Sequence, residues 1–453
     1  MSEERKSLHG LWSSRWAFIL AATGSAVGLG NIWKFPYITG ENGGGAFVLI
    51  YLVCIAAIGI PIMMAEVLMG RRGRSTPINT MRHLCVESSA HPAWQIIGWS
   101  GMLAGFLILS YYSVIAGWAL SYVLDSISGS FTGASAEQVG DHFGALLASP
   151  GTLIFWHTLF IVMTMVVVAR GVKHGLEKAV RFLMPALFVL LVIMVGYAMN
   201  MGEFMKGVEF LFKPDFSKIT GNGILIAMGH AFFTLSLGMG AIMIYGAYLP
   251  KDTSIAKVSI IIAAADTMVA LLAGLAIFPI VFSNGLEPGS GPGLIFATLP
   301  IAFGQMPGGL LFGTLFFVLL SFAAWSSGIS LIEPAITWLV ENKGIQRAKA
   351  CVVAGVITWS VGIGTVLSFN VASEVKLFDK TFFDLLDYLT SNIMLPLGGL
   401  AMAIFVAWIL SRESSQNELA MNDGPAFRLW FFLVKYVTPV AVIIVFFNAI
   451  GLI

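Results

Sequence analysis

Charge is what this chain has least of. Only 11% of its 453 residues are Asp, Glu, Lys or Arg, against 57% hydrophobic residues. A water-soluble fold of this size needs a charged surface, so the composition names lipid as the main solvent. Cysteine is scarce too. Cys54, Cys85 and Cys351 stand far apart with no metal-ligand spacing, and their odd number argues against a disulfide framework. A net charge of +1 gives no field to gather nucleic acid or acidic partners. No HExxH, Ser-His-Asp arrangement or pair of catalytic acids occurs, and most of the seven histidines lie near loops, so an enzyme is not expected. A cleaved signal peptide is not expected either: the first ten residues are polar, and the apolar run after them is too long.

Apolar runs are what fill the chain. A helical span needs about 20 such residues, because hydrocarbon offers no partner to exposed backbone groups. Eleven runs qualify: 14–38, 44–70, 95–124, 151–169, 176–199, 221–248, 255–283, 308–340, 347–368, 382–411 and 427–452. The longest imply tilt or internal breaks. Basic residues divide unevenly between the two sides. With a cytoplasmic N-terminus, Arg5, Lys6, Arg15, Arg71, Arg72, Arg74, Arg82, Arg170, Lys173, Lys178, Arg181, Lys251, Lys257, Lys343, Arg347, Lys349, Arg412 and Arg428 lie inside. Outside are Lys34, Lys206, Lys213, Lys218, Lys376 and Lys380, and Lys435 falls within the last span. By the positive-inside rule the N-terminus is cytoplasmic, and an odd span count then places Ile453 outside. Residues 125–150 form an acidic outer loop, and 284–307 a Gly- and Pro-rich one. The latter holds a short apolar run near 294–303, suited to a lid or hairpin helix.

Two spans break the helix pattern in the same way. GSAVGLGN at 24–31 and FTLSLGMGA at 233–241 both carry G-x-G pairs, five spans apart. Glycine costs a helix about 1 kcal/mol relative to alanine. These glycines either let helices pack closely or mark unwound backbone. Unwound backbone survives in a membrane only where it is packed in protein or lines a cavity. There its carbonyls suit a cation and its N–H groups a carboxylate. A five-helix repeat whose first helix is broken in each half points to a secondary transporter, the leucine-transporter fold being the model case. Intramembrane acids add to this. Glu66, Asp266 and Glu333 lie deep in spans 2, 7 and 8, and Asp387 near the outer end of span 10. Each needs a partner or a wet cavity. The only basic residue on the span of Asp266 is Lys257, nine positions away near the end, so a cation or a proton must compensate Asp266. Glu66 suits a group that holds unwound backbone, and Glu333, beside Pro334, a hydrogen-bonded structural role. In span 8, AAWSSGISLIEP offers hydroxyl and carbonyl oxygens of the kind hard cations prefer.

With these residues in place, the chain resembles the neurotransmitter:sodium symporter family over essentially its whole length, and most closely its bacterial amino-acid branch. The motifs that carry the likeness are WSSRWAFILAATGSAVGLGNIWKFP at 12–36, ENGGGAF at 41–47 and AFFTLSLGMGAIMIYGAY at 231–248. The resemblance implies an all-α integral membrane protein of the LeuT-type fold in the cell membrane. It has two inverted five-helix repeats (11–199 and 221–411) and an extra eleventh helix (427–452), with helices 1 and 6 broken at the midplane. It implies sodium-coupled symport of an amino acid with two Na+ ions, no organic cofactor, a lipid bilayer and no nucleic acid as surroundings, and no assigned oligomeric state. Relatives that carry monoamines place an aspartate where Gly28 stands. An amino acid bearing its own carboxylate is therefore expected here, hydrophobic and of the L form.

Residue by residue, the resemblance puts one sodium site at Ala26, Asn31, Thr234 and Asp266. The second falls at Gly24, Val27, Ala323, Ser326 and Ser327. The substrate carboxylate would meet the first sodium, the amides near Leu29 and Gly30, and Tyr112. Its amino group would meet Ser25, Phe233, Thr234, Ser236 and Ser327, and its side chain Ile108, Phe233, Met239 and Leu331, with Ala26 also among the substrate-binding residues. Lys34 and Asp387 would gate the outside above Phe233. Trp12, Tyr248 and Glu341 would latch the inside, with His9 where the family carries an arginine and Arg5 or Lys6 to assist. Gly175 and Pro185 match a family spacing that implies local unwinding of span 5. Two features depart from the common pattern. The twelfth span of most members is absent, and Asp266 replaces an asparagine found in chloride-dependent members, which implies transport independent of chloride. A channel or passive facilitator would instead need a continuous polar stripe.

Overall fold

A computed structural model describes residues 11–200, 202–288 and 291–449; His9, Arg5, Lys6 and Ile453 lie outside the described residues. Among the described residues every named element is helical. Nine helices are long and apolar enough to cross a membrane: Gly45–Gly73, Pro92–Ile127, Pro150–Ala169, His174–Ala198, Ile255–Ser283, Gly309–Lys343, Arg347–Ser368, Phe382–Ile409 and Pro425–Ile444. A tenth arises if the pair Arg15–Ala26 and Gly30–Glu41, bent by 47°, counts as one span. The chain is thus a multi-pass membrane protein.

The segment expected to span 221–248 is built of two shorter pieces, Gly221–Thr234 and Ala241–Ala247. Between them the backbone turns left-handed at Ser236, Gly238 and Gly240, with φ of +55°, +80° and +75°. Glycine adopts that region freely, whereas Ser236 is held there against its preference. A hydrogen bond from its Oγ to the Ser25 carbonyl, 2.8 Å, fixes it. At the first bent segment Val27 is extended, and a π-turn at Gly30–Lys34 resumes the helix. The two interruptions meet in the interior.

Among the described residues six π-turns occur, at Gly30–Lys34, Ile55–Gly59, Val172–Glu177, Tyr388–Met394, Phe405–Ile409 and Leu433–Val437. In four of them a proline follows the last residue by two positions: Pro36, Pro61, Pro396 and Pro439. Proline has no N–H to give, and its ring crowds the carbonyl four residues back, so the preceding turn widens. Pro185 differs. It sits inside the helix Lys178–Ala198, and Gly175 lies in the π-turn before that helix.

Close packing positions the second interruption. At Gly246 an added Cβ would lie 2.8 Å from the Val67 carbonyl oxygen and 3.0 Å from its Cα. Ala241–Ala247 therefore lies against Gly45–Gly73 with almost no side chain between them. From that neighbouring helix Glu66, fully buried, accepts hydrogen bonds from the Gly238 and Met243 amides at 3.1 and 3.3 Å. A short helix at Ala136–Ala148, capped reciprocally by Ser135 and Gln138, covers the other end of the molecule. It is joined there by the 3-10 turn Gly291–Leu294 and the short helix Leu299–Gln305. The apolar run near 294–303 supplies Phe296, which stacks on Phe143 with ring centres 5.8 Å apart.

His142 on that covering helix meets Asp125 at 3.1 Å. The hydrogen bond to Asp125 raises the imidazole above its ordinary value of 6.5. A raised pKa means that the tie contributes fully below pH 6.5 and is lost as pH rises through the folded value. The gap in thermal midpoint between the parent and His142→Gln should accordingly be widest near about pH 6 and close by about pH 9; a constant gap would contradict this assignment. In the same assay Gly246→Val, meeting backbone rather than a movable side chain, should cost about 3 kcal/mol. Gly196→Ala, inside a helix and with a Cβ that meets nothing within 4 Å, should instead keep or raise stability, by up to about 1 kcal/mol.

Candidate functional site

A small cavity lies between the two interruptions, lined by Ser25, Ala26, Gly28, Gly30, Ile108, Tyr112, Phe233, Ser236, Met239, Ser327 and Leu331. Its walls come from both interrupted segments and from Pro92–Ile127 and Gly309–Lys343, the helices carrying Tyr112 and Ser327. One end is polar. Leu29 N–H donates to Tyr112 Oη at 3.1 Å, and the helix restart at Gly30 presents its N-terminal amides there. The other end is apolar, with Ile108, Met239 and Leu331 buried and the Phe233 ring 3.3 Å from where a Cβ on Gly30 would sit.

Ten of the twelve residues assigned to substrate line this cavity. Leu29 and Thr234 do not; Leu29 reaches it through its amide, and Thr234 turns its hydroxyl to Asp266. Gly28 lines it without having been assigned. A Cβ there would press on Ser327 Oγ and come 2.8 Å from Tyr112 Oη, so the cavity depends on that position staying bare.

Beside the polar end, the carboxylate of Asp266 is fully buried. Asn31 Nδ2 donates to its Oδ1 at 2.8 Å, and Thr234 Oγ1 to its Oδ2 at 3.0 Å. No Lys, Arg or His among the described residues forms an ion pair with it. Hydrogen bonds to a charged group contribute about 1.5–3 kcal/mol each. Removing a carboxylate from water costs several kcal/mol after relaxation, and far more before it. Two such bonds do not offset that cost comfortably, so the site favours a cation or a proton. The carboxylate and the Thr234 hydroxyl are hard oxygen ligands of the kind Na+ takes, while Asn31 turns its Nδ2 to the carboxylate and its Oδ1 accepts from the Gly28 amide at 3.0 Å.

A second oxygen cluster joins the first break to Gly309–Lys343. Ser327 Oγ lies 3.4, 3.1 and 3.1 Å from the carbonyls of Gly24, Ser25 and Val27, and Ser326 Oγ lies 3.0 Å from that of Ala323. Ser327 and the carbonyls of Gly24 and Val27 thus meet at one place, whereas the Ser326 hydroxyl bonds back along its own helix, to Phe322 and Ala323. Ser330, not assigned, ties to Ser25 Oγ at 2.8 Å. A serine three positions beyond the SS pair was its trace in the sequence.

Above the cavity Lys34 Nζ sits 4.7 Å from the Phe233 ring centre and 3.4 Å from Asp387. Tyr111 and Ser391 hydroxyls also donate to Asp387, at 3.2 and 2.9 Å. Tyr111 and Tyr112 are adjacent, so they diverge around the helix, one to the charge pair and one to the cavity. At the opposite end Trp12 is buried, its amide bonded to the Tyr248 carbonyl at 3.0 Å and its indole N–H to that of Tyr245 at 3.1 Å. Glu341, assigned with them, accepts from Ser75 Oγ, Thr76 N and Asn79 Nδ2. The Tyr248 hydroxyl donates to Glu333, 3.2 Å away, which also pairs with Arg347. A further bridge joins Ser13, Glu177 and Arg181, next to the π-turn that holds Gly175. Sequence reasoning had no signal for these long-range pairs.

A membrane-embedded cavity between two helix breaks, flanked by hard-oxygen clusters, defines an ion-coupled secondary transporter. The chain belongs to the sodium:neurotransmitter symporter family, whose model matches residues 9–139 and 141–452. It is 40% identical over 444 residues to the sodium-dependent transporter YhdH of Bacillus subtilis, covering 97% of this chain and 98% of that one. A sodium-dependent transporter of Haemophilus influenzae is 36% identical over 444 residues, 96% of this chain and 97% of that one. The human sodium- and chloride-dependent creatine transporter 1 is 26% identical over 91% of this chain and 72% of its own. Among solved structures, that of MhsT in complex with L-phenylalanine matches with a TM-score of 0.91 and 42% identity, over 97% of this chain and 99% of that one. Sodium-coupled transport is therefore the activity the geometry must explain.

Asp266→Asn keeps the shape and removes the charge. Half-saturation by sodium in equilibrium substrate binding should rise at least about tenfold, the equivalent of 1.4 kcal/mol. An unchanged sodium requirement would show that Asp266 is a neutral structural acid.

Proposed function

We propose that this protein carries hydrophobic L-amino acids, aliphatic and aromatic, into the cell together with two Na+ ions by alternating access. The observation that carries this reading is the cavity itself. Its polar end adjoins an unpaired buried carboxylate, and its other end is walled by Ile108, Phe233, Met239 and Leu331. Methionine and aromatic walls adapt to side chains of differing shape. The structural likeness to MhsT in complex with L-phenylalanine supports the substrate class.

The first sodium sits at Ala26, Asn31, Thr234 and Asp266, and the second at Gly24, Val27, Ala323, Ser326 and Ser327. The substrate carboxylate meets the first sodium, Tyr112 and the amides at Leu29 and Gly30. The amino group meets the carbonyls and hydroxyls of Ser25, Phe233, Thr234, Ser236 and Ser327. Bound sodium orders both breaks and completes the substrate site, so each ligand strengthens the other's binding. Phe233 with the Lys34–Asp387 pair closes the outside. Release of Trp12, Tyr248 and Glu341 opens the inside, and unwinding between Gly175 and Pro185 admits water to the second sodium. The chain spans the cell membrane eleven times, helices 1 and 6 being interrupted, with its N-terminus cytoplasmic and its C-terminus outside. Residues 11–199 and 221–411 form the inverted repeats and 427–452 the added helix. The fixed charge of Asp266 makes chloride dispensable.

Uptake of labelled leucine into proteoliposomes tests the whole reading. It should need an inward sodium gradient, be competed by tryptophan and phenylalanine but not by glutamate or lysine, and persist when gluconate replaces chloride. Uptake that survives collapse of the sodium gradient would indicate a facilitator and overturn the proposal. Loss in gluconate would overturn its chloride clause.

A further inference from the structure

Lys435 is the one basic residue that falls within an apolar span rather than at its edge, and the transport site has no use for it. It stands ten residues into the helix that begins at Pro425, about 15 Å along the axis. Among the described residues no carboxylate forms an ion pair with it. Its ammonium is instead surrounded by rings, 4.5 Å from the centre of Trp408 and 5.6 Å from those of Phe431 and Tyr436. The Phe431 ring holds a second cation, the Arg412 guanidinium, at 5.3 Å. Arg412 and Arg428 share a single acid, Asp423, at 2.6 and 3.2 Å. The three cations, Asp423, Phe431, Phe432 and Tyr436 line an open groove, with Trp408 beside it. Three cations against one carboxylate leave a local charge of +2, and among the described residues no other acid pairs with them.

Rings attract cations but supply no countercharge, and an ammonium at membrane depth needs one. The groove opens where the chain passes from Phe382–Ile409 through a polar loop to Pro425–Ile444, the edge of the apolar layer. Its rim is apolar and exposed, with Trp408, Phe432 and Tyr436 uncovered by protein. Charge and apolar surface at one boundary match a molecule with an anionic head and an acyl tail. We infer that this groove binds the phosphate headgroup of an anionic phospholipid between Arg412 and Lys435, its acyl chains lying along the exposed face of the last helix.

In the orientation proposed above the groove faces the cytoplasmic leaflet. The binding itself does not depend on sidedness, so a reversed topology and an absent site give different results. Native mass spectrometry of the full chain, exchanged into detergent and titrated with dioleoylphosphatidylglycerol or dioleoylphosphatidylcholine, tests the inference. The parent should retain one phosphatidylglycerol at least fivefold more strongly than phosphatidylcholine. Arg412→Gln combined with Lys435→Gln should abolish that preference, whereas Lys376→Gln with Lys380→Gln, on the other side, should keep it. Sodium-dependent thermal stabilisation by leucine, unchanged in the Arg412/Lys435 variant, shows that the variant is folded. Equal lipid preference in parent and variant would overturn the site. So would displacement of phosphatidylglycerol by millimolar inorganic phosphate, because the groove would then recognise a free anion rather than a lipid.

Discussion

Hydrocarbon gives the backbone no partner, and this one constraint organises the molecule around its two interruptions. A chain that stops being helical at Val27 and again at Leu235–Gly240 must satisfy the freed groups internally. It does so with residues from distant helices. Glu66 takes the Gly238 and Met243 amides, Ser236 and Ser327 reach the Ser25 carbonyl, and Tyr112 receives the Leu29 amide. Because these partners must come close, the helices bearing them are packed glycine to backbone, as at Gly246 against Val67. The cavity is the space such packing leaves.

The same bonds explain why ligand and structure are interdependent at this place. Carbonyls at Gly24, Ser25 and Val27 are already approached by Ser327, and the carboxylate of Asp266 by Asn31 and Thr234. Hydroxyl and amide donors at these oxygens stand in for part of what a cation supplies, but carry no charge. Replacing them by a cation strengthens the hold on both segments at once, since Asn31 belongs to the first and Thr234 to the second. A ligand that bridges two mobile segments stabilises the arrangement in which they are close. On the proposed placement of sodium, coupling to the substrate needs no further device.

Much of this was legible in the sequence. The apolar runs at 44–70, 255–283 and 308–340 appear as the helices Gly45–Gly73, Ile255–Ser283 and Gly309–Lys343, because periodicity and length suffice where lipid is the solvent. The paired G-x-G motifs located the interruptions, and the resemblance brought ten lining residues to one cavity. What stayed hidden was tertiary. Nothing in the one-dimensional pattern links Glu341 to Asn79, Glu333 to Arg347 or Glu177 to Ser13, since each pair is joined only by helix packing. Gly28 was read as the absence of an acid. Its role as the bare wall of the cavity needed the positions of Ser327 and Tyr112.

The π-turns show how the same solvent shapes the scaffold far from the cavity. In water a proline within a helix leaves its orphaned carbonyl to the solvent. In lipid the orphan must be shared out among neighbouring turns, and Pro36, Pro61, Pro396 and Pro439 each follow a turn widened in that way. The widened turns at Gly30–Lys34 and Tyr388–Met394 immediately precede or follow the residues of the outer charge pair, Lys34 and Asp387. A π-turn has more room to re-register its hydrogen bonds than a regular one, because each donor already lies between two candidate acceptors. Lys34 ends one such turn and Asp387 stands just before the other, so the outer charge pair is seated on two proline-widened turns.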